Sequence, residues 1–250
     1  MSSKTHSTCR IGVWHSAVAA TTAIVLMHGA NAAKVEAELE TVWDEEVVGL
    51  RSRVFVQGEI DATTPDEVKS LITRHRLDKR RVIVYLDSHG GNLLAGIAIG
   101  KLIRDAGMST AVGKRRADGT PKGSVSAGVC LSSCVYALMG GQFRYASKDD
   151  VIGVHRFSRE GATPSDLEIA QVVSATITNH LKEMGVDAKL FEIAAATAKD
   201  EITTIPTPQA ERLGVVNNGK LRATWDLANL GGRVYLRGEQ TTDSGNGKLL

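Results

Sequence analysis

Segments typical of β-strands and segments typical of α-helices alternate along this chain from about residue 50. The clearest strand is 81–86, a continuous apolar run that predicts burial on both faces of a parallel sheet. The segment after it carries apolar residues at helical spacing, namely Ala95, Ile99, Leu102, Ile103 and Ala106. Further strands are predicted at 53–57, 110–112 and 151–154, and further helices at 65–76, 133–139 and 164–184. This alternation predicts an α/β fold of stacked strand and helix units with right-handed crossovers.

Composition excludes several classes of protein. Of the 250 residues, 42% are hydrophobic and 23% are charged, which is near the average for globular domains and unlike a disordered or multispan membrane chain. The formal net charge is only +2, so composition gives no basic face for nucleic acid. Three cysteines are too few for a disulfide scaffold at this length.

The first 33 residues differ from the rest of the chain. They contain Lys4 and Arg10, no acidic residue, an apolar run over 11–27, and the small residues Ala-Asn-Ala at 30–32. This pattern predicts a secretory signal peptide and a periplasmic or otherwise exported protein. The alternatives are an uncleaved N-terminal anchor, which would be the chain's one membrane contact, and an ordinary buried helix. Removal of a leader leaves equal numbers of acidic and basic residues and two cysteines.

The remaining chain divides into three parts by pattern. Residues 34–49 are interpreted as a linker, 50–220 as the main domain, and 221–250 as a C-terminal extension. The end of this extension, 241–248, is polar and contains glycine, which predicts a disordered tail. No metal or other cofactor is expected, because the histidines after the leader have no paired spacing with each other or with the cysteines.

Three short segments carry candidate chemistry. Gly90 and Gly91 stand between a strand and a helix, where paired glycines either aim N–H groups at a ligand or form a tight turn. Residues 130–134 (Cys-Leu-Ser-Ser-Cys) enter a mostly apolar helix, so a serine there is either an exposed nucleophile or a helix cap. His155 ends the apolar strand 151–154, where an imidazole can serve as a general base.

The order of these segments resembles one family. Gly58-Glu59-Ile60 is followed by a strand ending in Ser-x-Gly-Gly, a helix, a serine at a helix entry, Arg144-Tyr145, a strand ending in histidine, and Thr-Pro-Gln-Ala-Glu-Arg-Leu-Gly-Val-Val at 207–216. Over about residues 50–220 this resembles the proteolytic subunit of Clp protease (ClpP) in the ClpP/crotonase superfamily, and especially a periplasmic branch with a Cys-x-Ser-x-Cys motif. The resemblance implies stacked ββα units with a mostly parallel sheet.

The resemblance also implies roles for individual residues. Ser132 falls on the nucleophile and His155 on the general base. The backbone N–H of Ser133 and the Gly90 and Gly91 turn fall on the oxyanion hole. The family's turn usually has proline where this sequence has His89, a difference that keeps the glycines, loosens the turn and adds an imidazole near the site.

The acidic member of a triad is less clear. Ungapped counting puts Ala198 at the family's aspartate, and Asp200 lies two residues later. The site is therefore either a triad with Asp200 or a Ser-His dyad. Cys130 and Cys134 flank Ser132, and an exported protein allows either a disulfide between them or two buried thiols.

The expected function is an exported serine peptidase-like hydrolase acting on peptides or proteins. The resemblance implies a homo-oligomer with contacts through the helix at 164–184. An exported protein has no cytoplasmic ATPase partner, so processive degradation of folded proteins is not expected. The alternatives are a catalytically inactive ClpP-fold binding or assembly protein and a crotonase-type acyl-CoA enzyme, which export away from CoA disfavours.

Overall fold

Thirteen strands and six helices form the part of the chain that the structure, a computed structural model, describes: residues 32–44, 47–77, 81–116, 125–158 and 167–249. In chain order they are β1 (Lys34–Asp44), β2 (Val47–Gln57), α1 (Thr64–His75), β3 (Arg81–Asp87), α2 (Leu93–Asp105), β4 (Ser109–Val112), β5 (Lys114–Arg115), β6 (Val125–Ser126), β7 (Val129–Leu131), α3 (Ser133–Leu138), β8 (Arg144–Tyr145), β9 (Val151–Val154), α4 (Leu167–Met184), α5 (Lys189–Ala196), β10 (Thr203–Thr204), α6 (Thr207–Leu213), β11 (Thr224–Leu230), β12 (Arg233–Thr242) and β13 (Gly245–Leu249).

Two sheets contain parallel strands. The larger has the order β1-β2-β3-β4-β8, in which β2, β3, β4 and β8 run parallel and β1 pairs antiparallel with β2. In the second sheet, β9 pairs parallel with β7 and antiparallel with β10. A two-stranded ladder joins β5 and β6. The prediction of an α/β fold with parallel strands is confirmed.

Burial along β3 differs from the expectation of two fully covered faces. Val82, Val84 and Leu86 are buried in the core, whereas the alternate residues are half-buried or exposed. On that second face the ring of Tyr85 stacks on Phe55 of β2 at a centroid distance of 5.3 Å. One face of the strand is therefore buried in the main core, and the other face is only partly shielded from solvent.

Two segments contain more secondary structure than the sequence interpretation predicted. Residues 34–49, expected to be a linker, contain β1 and the start of β2. The signal is a charged and apolar alternation over 34–40, which is the period of a two-sided strand. All but the last two residues of the predicted leader, 1–33, lie outside the described residues. The N–H of its last residue, Ala33, donates to the Glu59 carbonyl at 2.7 Å.

The C-terminal extension is a three-stranded antiparallel meander and not a disordered tail. Gly231 and Gly232 both have positive φ, 60° and 77°, and form the two-residue turn between β11 and β12 that right-twisted hairpins favour. Asp243, in the next turn, ties the meander to the main domain. Its carbonyl accepts from Arg81 Nη2 at 2.7 Å, and its carboxylate accepts from the Tyr145 hydroxyl at 2.6 Å.

Close contact between helices α2 and α3 sets the position of the segment after β7. Asn92 caps α2 by accepting from the Ala95 N–H at 3.0 Å. A Cβ atom at Gly100 would lie 2.5 Å from the Tyr136 carbonyl oxygen, and one at Gly96 would overlap the Ser133 carbonyl. Glycine at these two positions lets the backbones meet, so α2 fixes α3 against the parallel strands.

Helix α4 packs through its C-terminal half. Ile177, His180, Leu181 and Met184 are buried, but Val172 of the same predicted stripe is 66% exposed. His180 Nε2 lies 2.9 Å from the Tyr136 carbonyl oxygen. Since that oxygen only accepts, Nε2 carries a proton and donates it to the carbonyl.

Acid is expected to destabilise the protein through His180. Burial holds the pKa of His180 below its ordinary value of 6.5, so below that pH the unfolded chain binds a proton that the folded chain does not. The free energy of unfolding should therefore fall as the pH drops below 6.5. Urea unfolding between about pH 7 and pH 5 measures this slope. His180→Gln should reduce this dependence of the unfolding free energy on pH. An unchanged slope in that variant would show that His180 is not its cause.

Candidate active site

Ser132 occupies a strained turn between β7 and α3. Its backbone angles are φ 53° and ψ −122°, a combination that costs about 1–3 kcal/mol for a residue with a side chain. The conformation is held on both sides: the Ser132 N–H donates to the Gly153 carbonyl at 2.9 Å, and its carbonyl accepts from the Val135 N–H at 3.1 Å. A strained strand-to-helix turn with serine at its tip is the geometry of a nucleophile elbow.

The side chain of Ser132 is not used as a helix cap. Ser132 stands at the cap position of α3, yet its side chain makes no capping hydrogen bond, and the residue is partly exposed. Ser133 is buried, and its Oγ atom also has no hydrogen-bond partner. The capping alternative for these serines is therefore absent from the structure, and Ser132 carries the accessible hydroxyl.

Gly90 packs directly against this turn. Gly90 and Gly91 follow β3 with φ of 103° and 131°, which favour glycine. A Cβ atom on Gly90 would lie 2.7 Å from Ser132 Cβ and 3.1 Å from the Ser133 nitrogen, whereas one on Gly91 would overlap the Ile60 carbonyl. The structure thus brings the predicted glycine turn to the predicted nucleophile, with Gly90 in contact with Ser132.

The predicted oxyanion donors differ in their present hydrogen bonding. The N–H groups of Ser133 and Gly91 have no acceptor among the described residues. The Gly90 N–H donates to Ser88 Oγ at 3.0 Å. Ser133 therefore presents an open backbone donor immediately after Ser132, of the kind that oxyanion stabilisation requires.

Ser88 and Gly153 also build the site, although the sequence interpretation gave them no role. The Ser88 carbonyl accepts from the Leu131 N–H at 3.0 Å and its N–H donates to the Val129 carbonyl at 2.7 Å, which joins the glycine turn to β7. Two side chains lie close over Gly153, because a Cβ there would be 2.5 Å from Ile202 Cγ2 and 2.8 Å from Leu131 Cδ2. The glycine inside the apolar strand 151–154 was the available signal for such close approach.

His155 lies immediately after β9, the parallel neighbour of β7. Leu131 is paired with Gly153 in this parallel ladder. Ser132 and His155 therefore both lie at the C-terminal ends of these neighbouring strands. His155 is half-buried, and its Nδ1 atom is buried without a hydrogen-bond partner. No hydrogen bond joins Ser132 and His155 in the described part of the chain; such bonds in ligand-free enzymes often tighten only in the substrate complex.

Asp200 is not brought to His155. It lies in an exposed turn after α5 and forms no hydrogen bond or ion pair with any described residue. The segment beside the histidine is instead joined through Thr197, whose carbonyl accepts from the Arg156 backbone at 3.2 Å and from Arg156 Nε at 2.9 Å. No carboxylate in the described part of the chain therefore forms a hydrogen bond with the Nδ1 atom of His155.

A disulfide joins Cys130 and Cys134 across the turn. Cys130 is in β7 and Cys134 is in α3, both are fully buried, and their Cα atoms are 5.2 Å apart. This cross-link spans Ser132 and ties the strand to the helix. It lies in the same core as the helix contact between α2 and α3.

Reduction of this disulfide is expected to lower the free energy of unfolding by about 2 kcal/mol, because the closed loop is short. Urea unfolding with and without dithiothreitol measures the loss. The double variant Cys130→Ala/Cys134→Ala should not respond to dithiothreitol. Intact mass spectrometry with thiol labelling of unreduced protein provides a direct check, and free thiols at both positions would refute the disulfide.

Comparisons with known proteins give little further information. No family model matches the chain, and no curated protein matches it. Among solved structures, a mutant of the 1510-N membrane-bound stomatin-specific protease is similar at a TM-score of 0.45 and 23% identity, over 65% of this chain and 75% of that chain. What this chain does must therefore be inferred from its own residues.

The described residues form neither a membrane-spanning helix nor a cluster of metal ligands. None of the helices they form combines the length and the apolar character needed to cross a membrane. In the same residues, no group of three or more His, Cys, Asp or Glu side chains is arranged to hold a metal ion.

Proposed function

We propose that this protein is a serine peptidase-like hydrolase with Ser132 as its nucleophile. The observation that carries the proposal is the backbone of Ser132, a non-glycine residue at φ 53° and ψ −122° with an accessible, uncapped side chain. Strain of this kind persists only where the surrounding structure imposes it, and it is concentrated at active sites. Gly90 and the Ser132 N–H bond to Gly153 supply that constraint.

The proposed reaction is acyl transfer in two steps. Ser132 Oγ attacks a peptide carbonyl and forms a carbon–oxygen bond, while His155 takes the hydroxyl proton and gives it to the leaving amine as the carbon–nitrogen bond breaks. Water then attacks the carbonyl of the acyl-enzyme and forms a new carbon–oxygen bond, while His155 takes a proton from the water. The ester bond to Ser132 Oγ breaks, and His155 returns the proton to that oxygen. The Ser133 N–H and the Gly90 and Gly91 turn stabilise the negative oxygen of each tetrahedral intermediate.

The proposed catalytic unit is a Ser-His dyad. Asp200 forms no hydrogen bond or ion pair with His155, and the Nδ1 atom of the imidazole has no hydrogen-bond partner among the described residues. In a full triad, loss of the orienting acid lowers kcat by about 10⁴-fold. A dyad here is therefore expected to be a slow hydrolase, suited to a small number of cleavage events.

The wider setting of this activity is also a proposal. The parallel sheets, the helix contacts and the resemblance over residues 50–220 support a ClpP/crotonase arrangement of stacked units. The leader-like residues 1–33 support export to the periplasm or an equivalent compartment. The exposed Leu167, Ile169 and Val172 of α4 support contacts between copies of the chain, since apolar groups clustered at one surface favour association.

A second candidate function is a catalytically inactive binding or assembly protein with the same fold. The unpartnered Nδ1 atom of His155 and the absence of a Ser132–His155 hydrogen bond favour it. Such a protein would keep the core and the strained turn without needing an orienting acid.

Labelling with a fluorophosphonate probe separates the two candidates. The hydrolase should be labelled on Ser132, as located by peptide mass spectrometry, and His155→Gln should suppress the labelling because the hydroxyl would lose its base. Absence of labelling in correctly folded native protein would refute the hydrolase and favour the binding protein.

A further inference from the structure

A cleft lies at the opposite end of α3 from Ser132. It has a volume of about 760 Å³ and is bordered by the ends of α4 and α6 and by the start of the C-terminal extension. Four basic residues line it, Arg104, Arg144, Lys220 and Arg222. Helix α3 has six residues, so its two ends are about 9 Å apart, and the cleft does not include the proposed catalytic residues.

Arg144 is the buried member of this basic group. It is 6% exposed, and its Nη1 atom donates to the carbonyls of Met139 and Met184 at 3.1 and 2.9 Å. Its Nε atom is buried without a partner, and Nη2 makes no hydrogen bond in the described part of the chain. Burial lowers the pKa of Arg144 to about 10, and the charge of Arg104 adds to this effect.

Arg104 places a second guanidinium beside the first. Its Nε atom donates to the Gly140 carbonyl at 2.8 Å, and Nη2 donates to the carbonyls of Met139 and Gly141 at 3.1 and 3.0 Å. Neither arginine forms an ion pair with a described carboxylate. Both cations are held by neutral carbonyls, which satisfy some donors but leave the two charges uncompensated.

The rest of the cleft adds more positive than negative charge. Lys220 and Arg222 are exposed at its rim. Among the described residues that line the cleft, Glu211 is the single acid, and its Oε1 atom accepts from Asn218 Nδ2 at 2.5 Å. Gln142 and Asn217 supply neutral polar side chains. The cleft therefore combines four cations with one carboxylate.

We propose that this cleft binds a ligand bearing a carboxylate or phosphate group, with Arg144 and Arg104 as its anchors. A planar guanidinium with free donors matches the oxygen pairs of both groups, and such charge-assisted bonds are about twice as strong as neutral ones. An oxyanion at the cleft would pair with the Nη2 atom of Arg144, which is not buried, and would neutralise the adjacent cations. The volume accommodates a small molecule or a short acidic chain end.

Isothermal titration calorimetry of the whole protein with inorganic phosphate, and separately with citrate, tests the proposal at constant ionic strength. Saturable binding of either anion with a Kd of about 1 mM or below is expected. Binding of phosphate alone indicates a phosphate-bearing ligand, and binding of citrate alone indicates a carboxylate-bearing one. Lack of saturable binding by both anions would overturn the proposal.

Variants locate the binding. Arg144→Gln should weaken it by about 10- to 100-fold, since bonds to charged groups contribute most. If that buried substitution prevents folding, the exposed Arg222→Gln provides the test, with an expected loss of about threefold. Arg233→Gln, exposed at the far turn of the meander, is the matched control and should bind as the native protein does. Equal affinity for the anion in native protein, R144Q and R222Q would exclude the cleft as the binding site. Ser132→Ala should leave anion binding unchanged, so this test stands apart from that of the hydrolase.

Discussion

Ser132→Ala is expected to abolish acyl transfer while leaving the fold intact. Removal of the nucleophile's oxygen removes the covalent route, so hydrolysis of an activated ester or a fluorogenic peptide should fall by at least about 10³-fold. Alanine keeps the Cβ atom that contacts Gly90 and removes only an uncapped hydroxyl. Initial rates and far-ultraviolet circular dichroism of the purified variant give the activity and the fold, respectively.

Ser133→Ala is the matched control for this substitution. The Ser133 hydroxyl is buried without a partner, and the proposed role of Ser133 belongs to its backbone N–H, which alanine keeps. Activity should stay within about threefold of the native value, since no hydrogen bond of that side chain is lost. Equal loss in both variants, or full activity in Ser132→Ala, would show that Ser132 is not the nucleophile.

Gly90→Ala is expected to have the largest effect on stability. At φ 103° a Cβ atom is strained, and it would lie 2.7 Å from Ser132 Cβ and 2.8 Å from the Leu131 carbonyl oxygen. Both contacts are with parts of the chain that cannot turn aside. Backbone strain and overpacking together should lower the free energy of unfolding by about 3 kcal/mol. Urea unfolding measures the loss, and fluorophosphonate labelling should disappear with the displaced turn.

Gly107→Ala separates the two causes of that loss. Gly107 has a positive φ of 65°, but nothing lies within 4 Å of a Cβ built on it. Only the left-handed backbone is then penalised, at about 1 kcal/mol. If the two variants lost equal stability, close packing of the glycine turn on Ser132 would be refuted.

Local signals in the sequence predicted most of the elements that surround Ser132. The apolar run at 81–86 and the strand at 151–154 are short, clearly bounded and confirmed in type. Helix α2 shows the predicted periodicity, and the structure begins it at an Asn92 cap. These elements follow from patterns within single segments, which is why they could be derived without knowing the tertiary contacts.

The contacts of His155 and Arg144 could not be derived in that way. Ungapped counting put Ala198 at the family's aspartate and left Asp200 two residues later as the candidate acid, but proximity to His155 depends on how the turn after α5 folds. The arginine cleft likewise depends on Arg104 and Arg144, distant in sequence, meeting at the end of α3. The alternation of charged and apolar residues over 34–40 is typical of a strand. Whether such a segment joins a sheet depends on a partner strand, which for β1 is β2.

The tie between Asp243 and the main domain affects how deletions near the C-terminus should be interpreted. A chain ending before Thr224 would lose Gln240 from the wall of the arginine cleft and the acceptor of the Tyr145 hydroxyl in one event. It would also lose the apolar sheet face of Trp225, Leu227, Val234 and Leu236, which is exposed in the structure. The phenotype of such a truncation would therefore reflect the loss of the cleft wall, of the Tyr145 acceptor and of the apolar sheet face together. Single-residue alleles are needed to distinguish these three losses.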